Sequence, residues 1–80
     1  MNREEARTII DDCDKQIAPL LQKRFEAILA VKKYKEENGL MYRTPDREKE
    51  ILDNLAQYGS AVVRVYKEIF NTAYDLQGIK

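Results

Sequence analysis

Four charged side chains in the N-terminal half, Arg7, Asp14, Arg24 and Lys35, stand in register with apolar ones. A 4-3 spacing runs through Arg7, Ile10, Asp14, Ile17, Leu21, Arg24, Ile28, Val31 and Lys35. On a helix that spacing gathers the residues on one face, the face that should be buried. A single charge at such a position is ordinarily an edge residue whose head reaches water. Three cations on one seam weaken that reading. Two later segments repeat the pattern. Arg47 lies one turn before Ile51 and Glu48 one turn before Leu52, while Gln77 lies one turn after Ala73. Glu48 has an ordinary explanation as a carboxylate at the positive end of a helix, worth about 0.3–1 kcal/mol. Gln77 has one as a frayed end. Yet each segment brings polar groups to its apolar face, and burying them unpaired costs several kcal/mol each. A small bound anion offsets that cost.

Distance separates the cations. Arg24 and Lys35 are about 16 Å apart along a helix, and two long side chains can converge on one ligand across that span. Arg7 is about 25 Å from Arg24 by the same arithmetic, too far to join them on a straight helix. If two copies of the first helix cross antiparallel with the dyad near Pro19, Arg7 of one falls opposite residues near Ala30 of the other. That is between Arg24 and Lys35. The expectation is a homodimer with two equivalent sites. Size points the same way. A chain of 80 residues buries only about 60–65% of its unfolded surface, and such chains often lean on disulfides, metals or a second subunit. With one cysteine there is no internal disulfide, and Cys13 alone cannot build a zinc site. Oligomerisation remains, although strict heptads also serve trimers.

The chain has no histidine, which excludes Ser-His-Asp and Cys-His catalysis and histidine-based proton transfer. Cys13 lies within an apolar helical pattern and reads as a small core residue. No metal and no cofactor is expected. Lys plus Arg and Asp plus Glu both number 14, so the net charge is zero. Neither nucleic acid nor an anionic membrane is an expected partner, since both call for a basic surplus or patch. No apolar run is long enough to span a bilayer, and the charged start Met1-Asn2-Arg3-Glu4-Glu5 leads into no signal-like segment. A soluble cytoplasmic protein is the default expectation.

The elements that must position these groups are three helices of a single domain, residues 1–80. The first is expected from about Arg3 to Asn38, closed by Gly39, with Cys13, Leu20, Phe25, Ala27 and Tyr34 widening its stripe. Pro19 disturbs it, since an interior proline costs about 3 kcal/mol. The apolar phase is the same on both sides, so a kink is expected rather than a break. The second helix opens on Thr44 as N-cap with Pro45 in the first helical position. It buries Ile51, Leu52 and Leu55 and ends at Gly59. Ser60 is expected to cap the third helix, which buries Val62, Tyr66, Ile69, Ala73 and Leu76 and runs to about Gln77. No period-two alternation suggests a strand. The fold class is all-α.

The ordered set Arg7, Ile10-Asp11, Asp14, Leu20-Leu21, Arg24, Lys35, Pro45-Asp46-Arg47-Glu48 and Gln77 resembles the all-α (AroQ-type) chorismate mutases, over essentially the whole chain. The resemblance implies three helices per subunit, with the long first helices intertwined in a homodimer. It implies conversion of chorismate, a small dianion, to prephenate, a step towards phenylalanine and tyrosine. It further implies that Arg24 binds a substrate carboxylate and that Arg7 does so from the other subunit. Lys35 and Gln77 would donate to the ether oxygen. Glu48 would hold the substrate hydroxyl or, if protonated, donate to the substrate. Arg47 would complete the cationic wall. Two further binding positions depart from the family pattern. Thr44 stands where the family often has an acidic residue, and Ala73 where it often has serine. The stretch from Gly59 to Gln77 is also shorter than in the longer members. Two other readings stay open. Isochorismate-pyruvate lyases resemble these mutases and bind a similar dianion through similar cations. A non-catalytic helical dimerisation module would tolerate alanine at Arg24, Lys35 and Gln77.

Overall fold

A computed structural model describes residues 1–40 and 45–78. Three helices account for nearly all of them: α1 (Arg3–Glu37), α2 (Pro45–Leu55) and α3 (Ser60–Gln77). There is no strand among the described residues.

The ends of α1 follow from local chemistry. Asn2 caps it, its side-chain oxygen accepting from the Glu5 N–H at 2.8 Å while its amide donates to the Glu5 carboxylate at 3.2 Å. This is close to a capping box, and Glu4 and Glu5 also suit the positive end of the dipole. At the other end Gly39 takes φ +65°, a conformation that favours glycine. The N–H of Leu40 then reaches back to the Lys35 carbonyl at 2.8 Å, closing the helix in a Schellman turn. Between these ends α1 runs as one element through Pro19, unbroken as expected.

The start of α2 at Pro45 agrees with proline in the first helical position. Thr44, the expected cap, lies outside the described residues. After Leu55 the chain tightens into a 3-10 turn over Ala56–Tyr58, and Gly59 follows at φ +100°, ψ 164°. Here the expectation for Ser60 needs correcting. Gly59 occupies the cap position of α3 without a side-chain cap, and Ser60 is already the first helical residue. The 3-10 turn uses up the linker, so no residue is left between glycine and helix. α3 ends at Gly78 in the left-handed conformation.

α3 packs on both other helices. Only the C-terminal half of α1 takes part, through the half-buried Leu21, Arg24, Phe25, Ile28, Lys32 and Lys35. From Arg7 to Leu20 every residue is exposed within the chain. Ile10, Ile17 and Leu20 are 57%, 50% and 62% exposed, and Cys13 is exposed too. Val31 is likewise exposed. The expectation that these residues form a core is therefore not met inside one chain: no other described segment reaches the N-terminal half of α1, and Val31 faces the open cavity described below. Leu76 is also exposed, lying at the edge of the stripe formed by Tyr66, Ile69, Ala73 and Gln77. No described helix is long and apolar enough to cross a membrane.

Candidate active site

The three helices enclose a cavity of about 460 Å³, within the range of about 300–1,000 Å³ common for small-molecule sites. Its apolar wall comes from Ile28, Val31, Ile51 and Phe70, and its polar groups are Arg24, Lys35, Arg47, Glu48, Tyr74 and Gln77. Three cations thus face one carboxylate, which favours an anionic occupant.

α1 supplies Arg24 and Lys35 from one face. The Arg24 guanidinium lies 5.6 Å from the Phe70 ring centroid and 6.0 Å from that of Tyr66. Such stacking fixes the planar group while leaving its N–H edge for a ligand. Nη1 of Arg24 is buried without a hydrogen-bond partner. A buried orphan donor costs about 1–3 kcal/mol, a cost that a ligand acceptor would remove. Lys35 stands half-buried in the last turn of α1.

α2 supplies Arg47 and Glu48 from its first turn. Arg47 is exposed and pairs with Glu50 at 3.3 Å. A surface pair of this kind is worth little and yields easily to a ligand. Glu48 is half-buried and accepts a hydrogen bond from the Tyr74 hydroxyl, across from α2 to α3. α3 supplies the floor. Ala73 and Gln77 are 4% and 7% exposed. The Gln77 amide nitrogen donates to the Ala73 carbonyl at 2.9 Å. That bond orients the amide and leaves its second N–H available.

Six of the eight positions singled out in the sequence therefore meet at one cavity: Arg24, Lys35, Arg47, Glu48, Ala73 and Gln77. Arg7 does not. It is exposed on the part of α1 that extends past the other helices. Thr44 lies outside the described residues. Of the six other lining residues, Ala27, Ile28, Val31 and Ile51 belong to the expected apolar stripes, and the two missed altogether are Phe70 and Tyr74. Their four-residue spacing, continued back to Tyr66, was the available signal.

No curated protein matches the chain. The family model of chorismate mutase type II matches residues 6–78, which include Arg7 and every residue lining the cavity. With nearly its whole length matched, the chain belongs to the type II chorismate mutases, a family of isomerases.

Proposed function

We propose that this protein rearranges chorismate to prephenate, supplying the branch towards phenylalanine and tyrosine. The observation that carries the reading is the convergence of Arg24, Lys35 and Gln77 on one cavity with Nη1 of Arg24 unpartnered. The substrate is a dianion, and its reaction is pericyclic. It needs no nucleophile and no obligatory proton transfer, which suits a chain without histidine.

The residues then divide the work. Arg24 binds one carboxylate, and Arg47 leaves Glu50 to complete the cationic wall. Glu48 accepts from the ring hydroxyl, fixing which face of the ring meets the side chain. Lys35 and the second N–H of Gln77 donate to the ether oxygen, where negative charge grows as the C–O bond breaks. Holding the reactant in its compact conformer recovers entropy that solution reaction must supply. Donors aimed at the ether oxygen act in the transition state more than in the ground state.

A homodimer is part of the proposal. The exposed apolar residues of α1, Ile10, Ile17 and Leu20 among them, need a cover. A second copy of α1 crossing near Pro19 provides one and brings its Arg7 to the first copy's cavity.

The test is to follow chorismate absorbance with purified protein, identify the product, and run Lys35→Ala beside it. The expected product is prephenate. Loss of one preorganised donor lowers kcat by about 10²–10³-fold. Release of pyruvate, or no turnover from folded protein, would refute the reading.

A further inference from the structure

Glu48 brings the one carboxylate to a cavity lined by Arg24, Lys35 and Arg47. A flexible carboxylate among three cations has every electrostatic reason to settle on one of them. Doing so would neutralise the charge that a dianion needs. That has not happened here. Arg47 turns outward to Glu50, Nη1 of Arg24 stays without a partner, and Glu48 makes no ion pair among the described residues. Its partner instead is Tyr74, whose hydroxyl donates to Oε1. Tyr74 contributes the only hydroxyl among the described residues that line the cavity. α3 offers none at Ala73.

We propose that Tyr74 is a positioning residue: its hydroxyl tethers Glu48 to α3, keeps the carboxylate off Arg24, and so preserves the cationic pocket for a dianion. An ionised carboxylate has about four acceptor sites. With Oε1 engaged by Tyr74, Oε2 remains to accept from a ligand hydroxyl. The tether joins residues 26 apart in sequence, so it also sets the spacing of α2 from α3 at the cavity. The inference rests on the dianion reading of the site.

Four proteins test it: wild type, Tyr74→Phe, Glu48→Gln and the double variant, each checked for helical content. Two readouts are taken, steady-state kcat and KM with chorismate and calorimetric affinity for prephenate. The second is independent of turnover. Tyr74→Phe keeps the ring and removes only the hydroxyl. With Glu48 present it is expected to weaken prephenate binding and raise KM by about tenfold, the scale of losing one hydrogen bond to a charged group. In the Glu48→Gln background no charge is left to fall on Arg24. There the same change should shift affinity by less than about twofold. An equal factor in both backgrounds, or no loss in the single variant, overturns the tether while leaving the mutase reading intact. A folded wild type that neither turns over chorismate nor binds prephenate overturns both.

Discussion

Arg24 lays its guanidinium over two rings and leaves one nitrogen buried without an acceptor. Position and charge are separable in such an arrangement. A lysine keeps the charge, but it lacks the planar group that stacks on Phe70 and cannot grip a carboxylate with two parallel N–H bonds. Arg24→Lys is therefore expected to lower kcat/KM for chorismate by about tenfold or more, measured by steady-state kinetics. A loss below about threefold would mean that net charge, not shape, is what the site needs. Arg24 was legible in the sequence because a charge in an apolar register has few explanations. The same reasoning led to Lys35, Glu48 and Gln77, and all stand at the cavity. It passed over Phe70 and Tyr74 because an aromatic residue on a helical stripe reads as core. The hydroxyl of Tyr74 becomes informative only when α2 lies beside α3 and places Glu48 within its reach.

Helices were legible where their ends carry chemistry. Gly39 and Pro45 each bound an element through a specific backbone need, whereas the Asn2 cap on Glu5 and the left-handed Gly78 emerge only with the structure. The 3-10 turn over Ala56–Tyr58 was not legible either, since nothing in Leu55-Ala56-Gln57-Tyr58 distinguishes it from one more helical turn. Its consequence falls on Gly59. At φ +100° and ψ 164° the residue occupies a region that is almost exclusively glycine's. A Cβ there would meet nothing within 4 Å, so any penalty is in the backbone alone. Gly59→Ala is expected to reduce stability by about 1–3 kcal/mol, read from urea unfolding. Because the strain sits at the α2–α3 junction, away from the cavity residues, kcat should change little in the folded variant. No loss of stability would mean that the junction can adopt another path without cost.

As a whole the chain extends over 53 × 23 × 18 Å, with a radius of gyration of 15.6 Å, against about 12 Å expected for a compact chain of this length. The excess is α1, whose N-terminal half carries Ile10, Ile17 and Leu20 into solvent. Among the described residues only Ala73 is a fully buried apolar side chain, a thin core for a chain of 80 residues. The proposed second chain laid along α1 would repair this and would bring Arg7 within reach of a cavity, two needs met by one contact. The arrangement can be tested through its symmetry. Arg7→Ala and Lys35→Ala should each inactivate both sites of their own dimer. In a mixed dimer, one site takes its Lys35 and its partner's Arg7 intact, while the other loses both. Refolding the two variants together in equal amounts makes half of the dimers mixed, so activity should return to roughly a quarter of wild type. Were Arg7 to act within its own chain, each variant would damage its own sites only and the mixture would stay inactive. Recovery thus reports the pairing and the trans role of Arg7 in a single measurement.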